Sequence, residues 1–597
     1  MSEHLLVGLA SIIVLGILAQ WLAWRLHLPA ILLLLVFGII AGPVTGLLEP
    51  DAVFGEALFP LVSISVAIIL FEGGLSLKLS ELRRGGAVIR NLVTVGILVT
   101  WLLTALAAYA IVGLQLSTAL LVGALLVVSG PTVIIPLLRQ VRPKGDIGSI
   151  IKWEGIVNDP IGAILAVLVF EVIITGTEGG TGMVIGGVLK AFAAGTIIGV
   201  AGAGAMVVLL RRFLVPDFLQ NPVSLMLVML VYVASNMLQT ESGLLAVTVM
   251  GIVLTNQKFI SIRHILEFKE NLRVLLIASL FILLAARLDA FQVLLASPLN
   301  WIFVILLIAV IRPAAVFASA LGTKLRTSER YFLSWMAPRG IVAAAVVSVF
   351  AIRLSEIGHP DADKLAPLVF LVIIVTVAVY GLTASRVAQS LKVSQPDPQG
   401  VLFAGAHSWS RQMAAILKDS GYTVALVDSN WENVTEARRL GLTAYYGSVL
   451  SEEMMFSLQL DGIGRLLAMT PNDEVNSLAA LHFVDIFGSS EVYQLPPLGA
   501  GKDAAQEEMP KHLRGRFLFS GEANYQHLTT RFRQGAILKK NSMTEAFDYD
   551  AFKSKYGPQA VPLFLIPEPG RLRVCTAVDR ISPKPGQAII SIVNPVD

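Results

Sequence analysis

Two carboxylates, Glu154 and Asp159, lie five residues apart in Trp153-Glu154-Gly155-Ile156-Val157-Asn158-Asp159-Pro160, inside an otherwise apolar stretch. Ionisable groups at bilayer depth are costly, and they mark ion paths or internal pairs. Residues four apart share a helix face, so Glu154 and Asn158 lie together, while Asp159 lies with Gly155 on the adjacent strip. One carboxylate can then face an ion cavity while the other turns inward to a partner. Arg339, in Pro338-Arg339-Gly340 amid an alanine-rich apolar run, is the expected partner of Glu154, because an unpaired buried arginine is expensive. Glu72, in Leu70-Phe71-Glu72-Gly73-Gly74, and Arg312, just before Pro313, are the other charges within such runs.

These residues need a membrane scaffold, and the composition supplies one. The chain has 597 residues, 55% hydrophobic and only 15% charged, where a soluble protein carries roughly 25% charged residues. Before about residue 392, runs of some 20 apolar residues follow one another, the length that spans a bilayer core. Thirteen such segments are expected between residues 4 and 388. Loops after the odd-numbered segments are rich in Lys and Arg, and those after the even-numbered ones are not. By the positive-inside rule the N-terminus lies outside and the tail in the cytoplasm. The first run, Leu5 to Trp24, has no basic region before it and no clear cleavage site, so a retained helix is expected. A single cysteine, Cys575, excludes an intrachain disulfide framework. The net charge of +3 says nothing about partners, and no nucleic-acid partner is expected.

Two segments carry helix breakers in mid-span: the fifth at Ser129-Gly130-Pro131-Thr132 and the twelfth at Pro338-Arg339-Gly340. Proline removes a backbone donor and glycine adds freedom. Segments 1–6 and 8–13, separated by segment 7, form two halves of opposite orientation whose fifth members are these two. Interrupted helices in corresponding positions point to an inverted-repeat transporter with a midplane site.

With these motifs in place, residues 5–390 resemble the cation/proton antiporter 1 family, the NhaP-type exchangers. The resemblance rests on Leu70 to Gly74, Glu154 to Asp159, Arg339-Gly340, and Ser242-Gly243-Leu244-Leu245-Ala246. It implies a homodimeric secondary transporter of the bacterial inner membrane, not an enzyme, exchanging Na+ or K+ for H+. Asp159 would bind cation and proton in turn, with Asn158, Glu72, Ser129 and Thr132 around the Na+ or K+. The Asn-Asp pair implies electroneutral exchange, since related electrogenic antiporters carry Asp-Asp. Glu154 and Arg339 would form the structural pair, and Arg312 would have a structural or gating role. Two departures bear on selectivity: Gly130 stands where the family usually has Asp, and Gly155 where a serine is frequent. A roomier, less charged site could accept K+ as well as Na+.

The tail follows a linker over 392–400. A strand from Val401, then Gly405-Ala406-His407-Ser408, a helix, and a second strand ending in Asp428 follow the spacing of the Rossmann fingerprint, where the acid holds ribose hydroxyls and the helix start holds phosphate. His407 and Ser410 replace its second and third glycines. Residues 401–495 resemble the TrkA-N domain of potassium-conductance regulators, which implies an adenine nucleotide (AMP, ATP or NAD(H)) as regulatory ligand at Gly405, His407, Ser408 and Asp428. Residues 496–597 read as a small β-rich regulatory module.

The expected class is thus a polytopic α-helical antiporter with a cytoplasmic α/β Rossmann-like domain. Na+/H+ exchange leads, K+/H+ efflux is the nearest alternative, and a nucleotide-gated cation channel is the alternative of another class, disfavoured by the absence of a Thr-Val-Gly-Tyr-Gly-like filter. Glu241 falls in an outer loop, where ordinary surface chemistry accounts for it.

Overall fold

A computed structural model describes residues 2–26, 28–175, 180–257, 259–260, 262–287, 297–394, 398–451, 454, 458, 460, 462–498, 514–568, 570–579 and 581–595. The chain divides into two units, Met1–Ser394 and Gln395–Asp597. Part of the linker expected over 392–400 (395–397) and the first part of the module expected over 496–597 (499–513) lie outside the described residues.

The first unit is helical. It opens with α1 (Ser2–Leu26), α2 (Ala30–Ile39), α3 (Leu58–Leu75), α4 (Leu82–Asn91) and α5 (Ile97–Ala107). Next come α6 (Leu116–Leu125) and α7 (Pro131–Val141), then the unbroken α8 (Ile147–Thr175) and α9 (Gly180–Arg211). They are followed by α10 (Gln220–Leu238), α11 (Ser242–Asn256) and α12 (Arg263–Ala286). A π turn joins α13 (Pro298–Leu306) to α14 (Arg312–Ser319), and α15 (Thr327–Trp335), α16 (Ile341–Glu356) and α17 (Ala362–Ser390) complete the unit.

Among the described residues, eight helices are long and apolar enough to cross a bilayer, and four shorter apolar helices accompany them. Their outer surface is apolar: Leu6, Val14, Trp24 and Leu102 are each more than half exposed. An apolar surface on this scale calls for lipid, which solvates it without cost.

The second unit alternates strand and helix, and such an order folds as a parallel sheet covered by helices. Its elements are β1 (Gly400–Ala404), α18 (Ser408–Asp419), β2 (Val424–Asp428), α19 (Trp431–Arg439), β3 (Thr443–Tyr446), β4 (Ile463–Ala468), α20 (Asp473–Phe487), β5 (Val492–Gln494) and β6 (Arg516–Phe517). The strand order is β3-β2-β1-β4-β5-β6, with Leu402 paired to Ala425 on one side and Leu466 on the other. That order reverses between β1 and β4, the switch point where such folds take ligands. Beyond it lie α21 (Tyr525–Arg533), β7 (Ile537–Ser542), α22 (Tyr549–Tyr556), β8 (Val561–Ile566), β9 (Arg573–Val574) and β10 (Ala588–Val593). These strands form an antiparallel sheet in the order β7-β10-β8-β9. Its Phe564 and Ile590 share one core with Phe403, Met413 and Leu426 of the parallel sheet and its helix.

Candidate functional site

The helix breakers act where the sequence places them. Residues 126–130 between α6 and α7, and 336–340 between α15 and α16, are not helical. The two breaks cross backbone to backbone. Gly130 N–H donates to Pro338 O at 3.0 Å, and a Cβ on Gly130 would come within 2.6 Å of Gly340 Cα. Glycine at 130 is therefore a requirement of this crossing, which leaves no room for the side chain the family pattern carries.

Helix α8 lies along the first break. A Cβ on Gly162 would meet Val128 Cγ2 at 2.6 Å, and one on Gly155 would meet Ile134 Cδ1 at the same distance. Residues 155, 159 and 162 share a strip, so Asp159 faces the break, against the Ser129 backbone and with Arg339 as the cation facing it. Asp159 is fully buried, yet neither carboxylate oxygen makes a hydrogen bond of normal length and angle among the described residues. Ser129 Oγ, Thr132 Oγ1 and Asn158 Oδ1 are likewise buried without a partner. Each such group costs about 1–3 kcal/mol, and an arrangement with several of them together has the character of a place for something that binds oxygen. Pro160 inside α8 also leaves the Ile156 carbonyl without its helical donor.

The second carboxylate of α8 is fully engaged, and not as the sequence suggested. Glu154 pairs with Arg312, not Arg339. Arg312 Nη1 meets Glu154 Oε1, and Nη2 donates to Oε2 at 2.9 Å, a two-pronged pair with both partners buried. Arg312 also donates to Leu333 O from Nε (3.1 Å) and Nη2 (3.0 Å), and to Met336 O at 2.9 Å. It thereby caps the carbonyls released at the end of α15, where the helix dipole is negative. Arg339 does the same for the other break: its Nη1 reaches Val127 O and Val128 O, both at 3.4 Å, just beyond the end of α6. Each broken helix thus holds one arginine at its carbonyl end: Arg312 is ion-paired with Glu154, whereas Arg339 faces Asp159 with no ion pair to a carboxylate among the described residues.

Glu72 is engaged elsewhere. It accepts from Arg273 Nη1 of α12 at 3.0 and 3.2 Å. Lys269, one turn earlier on α12, is fully buried with its Nζ 3.3 Å from the centroid of the Phe71 ring, a cation–π contact. Lys269 and Arg273 both lie on α12, which begins at Arg263. Their four-residue spacing, one helix face, was the available signal that α12 begins before its apolar run.

In the tail, Gly405 takes φ +110° in the tight turn after β1, a conformation that suits glycine. Ser408 opens α18 and is exposed. His407 lies across the crevice: its Nε2 donates to Met469 O, beyond the end of β4, at 2.7 Å, and its ring centroid is 3.9 Å from that of Trp409 and 5.1 Å from that of Tyr525. Burial pushes His407 down to about 4, so the ring is neutral. Asp428 Oδ2 accepts from Ala406 N (2.7 Å) and Asn433 Nδ2 (3.0 Å), and Oδ1 from Asn430 N (2.8 Å). Three of a carboxylate's roughly four acceptor positions are thereby filled by the protein.

Comparison with known proteins follows the same division. Residues 401–493 match the TrkA-N domain family. A K+/H+ antiporter NhaP of Alkalimonas amylolytica is 29% identical over 403 residues, 66% of this chain and 68% of that protein. A Na+/H+ antiporter 1 of Methanocaldococcus jannaschii is 27% identical over 388 residues, 60% of this chain and 84% of that protein. The structure of the sodium/proton antiporter MjNhaP1 from the same organism superposes with a TM-score of 0.58 at 22% identity, covering 65% of this chain and 99% of its own. The sodium/hydrogen exchanger transmembrane family matches residues 9–390, more than half of the sequence, and the chain belongs to that family.

Proposed function

We propose that the protein exchanges a monovalent cation, Na+ or K+, for protons without net charge movement, at Asp159. The observation that carries this is the buried Asp159 carboxylate, whose two oxygens make no hydrogen bond of normal length and angle among the described residues, beside the crossing of two broken helices. A bare carboxylate there is expensive. It is relieved by a proton or by a cation, and the two compete because they need the same oxygens. Between occupants, Arg339 and the Ser129 backbone at the start of α7 offset its charge, as the positive end of a half-helix does. Asn158 adds an oxygen but no second charge, so either cargo neutralises the same single carboxylate.

K+ is a substantive second reading. Gly130 and Gly155 contribute no side-chain oxygen to the crossing, which favours a larger, less strongly hydrated ion, and a relative bears the name K+/H+ antiporter. The wider reading comprises thirteen crossings in two inverted repeats, the N-terminus outside, a cytoplasmic tail, a homodimer in a bacterial inner membrane, and regulation by an adenine nucleotide at the β1–β4 crevice. The TrkA-N match supports the last of these. For a nucleotide to enter, His407 would have to leave Met469, and Asp428 would offer its remaining acceptor position to a ribose hydroxyl.

The test is proton flux in proteoliposomes with a trapped pH dye, adding Na+, K+ or Li+ in turn at clamped membrane potential. Cation-evoked proton movement that survives the clamp is the expected result. Cation flux without proton movement would replace exchange by a channel.

A further inference from the structure

Glu241 does not sit on an ordinary surface loop. It lies in the connector between α10 and α11 and lines a small cleft together with Phe59, Ser63, Tyr232, Val342 and Phe350. Its position is directional. Val342, Ala345, Val346 and Val349 form one wall along α16, and α16 begins immediately after Gly340, at the crossing of the broken helices. From there α16 runs outward to Glu356, and α17 returns through the unit to Ser390, where the tail begins. The cleft therefore occupies the half of the membrane unit on the face opposite Ser390. Its inner end is three residues from Arg339, and Glu241 lies in the turn at the outer end.

Four further observations single Glu241 out from the cleft's largely apolar lining. Its backbone is held at φ +61°, a left-handed conformation that costs a non-glycine residue about 1–2 kcal/mol. Among the described residues, no hydrogen bond or ion pair occupies its carboxylate; Tyr232, flanked by Ser63 and Asn236, is the ionisable group that faces it. No other charged side chain from α3, α11 or α16 lines the cleft. Burial in this connector raises its carboxyl to about 6, so both charge states are accessible near neutral pH. A strained backbone that presents an acid to an apolar-walled cleft lying along α16, the helix that starts at the crossing, is explained by what the acid does there.

We propose that Glu241 is an ion-collecting site at the mouth of the cleft on the face opposite the tail, concentrating monovalent cations on their way to and from Asp159. A carboxylate set between low-dielectric walls focuses its field along the cleft and raises local cation concentration and capture rate. The inference rests on the exchange reading for its role, and on geometry for its existence.

Two variants test it. Glu241→Gln removes the charge, and Glu241→Gly removes charge and strain together, so a folding defect in the first is separable from loss of function. In membrane vesicles of both orientations, each variant should raise KM for cation presented from the cleft face about 3- to 10-fold, with kcat and the opposite-face KM unchanged. The shift should shrink as an inert salt raises ionic strength. Unchanged KM in both variants, or an equal change from both faces, overturns the proposal. Exposure is read independently of transport. The Glu241→Cys variant should react with a membrane-impermeant thiol reagent only from the face opposite the tail, against a background in which the native Cys575 is buried. Reaction from the tail face, or none in folded protein, overturns it as well. Wild-type vesicles without cation-evoked proton flux would count against the exchange reading, while the thiol result would still decide the geometry.

Discussion

Asp159 and Asp428 present the same functional group in opposite conditions. Asp159 is buried beside the crossing of two broken helices, and neither oxygen makes a hydrogen bond of normal length and angle among the described residues. Asp428, at the end of β2, is held by three donors from its own domain at 2.7–3.0 Å. A charged carboxylate buried without such partners is costly, which fits the proposal that Asp159 exchanges its cargo in every cycle. The tail carboxylate is stable without a ligand, and His407 closes the crevice beside it. In the proposed regulatory role, a ligand would have to rearrange these contacts. One carboxylate lacks partners from its own fold among the described residues, and the other is held by its own domain.

The largest effect that can break this comparison is at Asp159. Asp159→Asn keeps the shape and removes the charge that cation and proton share in the proposed exchange. Exchange should fall by two orders of magnitude or more, to background in the dye assay, while detergent-extracted protein melts no lower than wild type, because an unpaired buried charge has been removed. Retained exchange with normal cation affinity would take Asp159 out of the mechanism.

Next is the other carboxylate of α8. Arg312→Gln leaves Glu154 buried without a cation and leaves the end of α15 without its cap. Breaking a buried pair costs about 3–5 kcal/mol, so a large fall in thermal stability is expected. Glu154→Gln paired with Arg312→Gln should recover part of it, since no uncompensated charge remains. Arg339→Gln should not couple to Glu154→Gln in the same cycle. Coupling there, and none with Arg312, would restore the pairing first expected from the sequence.

How far the sequence carried these features follows from how local each one is. The breaks at 130 and 340 are legible because proline and glycine act on their own backbone. The separation of Glu154 from Asp159 onto neighbouring strips is legible because helix periodicity is fixed. Which arginine meets Glu154 is not, because Arg312 and Arg339 both lie in apolar runs beside a proline or glycine, and only the packing of α14 and α15 on α8 distinguishes them. Lys269 and Arg273 escaped notice because charged residues beside an apolar run read as loop, although Phe71 and Glu72 receive them. The left-handed backbone at Glu241 has no sequence signature at all, since it is set by how α10 turns into α11.

The tail offers a sharper test through pH. His407 titrates at about 4 in the folded protein, against about 6.5 in an unfolded chain. Its contribution to stability is therefore fully present above pH 6.5 and is lost as pH falls from 6.5 toward 4, because the unfolded state takes up the proton first. The loss amounts to about 3 kcal/mol at most. Hydrogen exchange in the full chain should show β1 and the start of α18 losing protection over that window, with a weaker dependence in His407→Asn. Equal pH dependence in both proteins would assign the effect to other groups.

The smallest expected effect concerns the ligand. If the crevice between β1 and β4 takes an adenine nucleotide, the two residues that distinguish the loop should act in opposite directions. Asp428→Ala removes the acceptor for a ribose hydroxyl and also frees Ala406 N and Asn433, so affinity for AMP, ATP or NADH should fall about 5- to 10-fold, the effect of one hydrogen bond. His407→Gly removes the ring that reaches Met469 and restores the glycine that lets a phosphate approach the backbone, so affinity should rise by a similar factor. Titration calorimetry of the full chain reads both. Opposed shifts would make His407 an internal occupant that a nucleotide displaces. A rise in His407→Gly with no change in Asp428→Ala would place the ligand's phosphates, but not its ribose, at this crevice. No binding by wild type or either variant would leave the ring's bond to Met469 as the permanent state of the loop, and the tail as a domain that responds to something other than nucleotide.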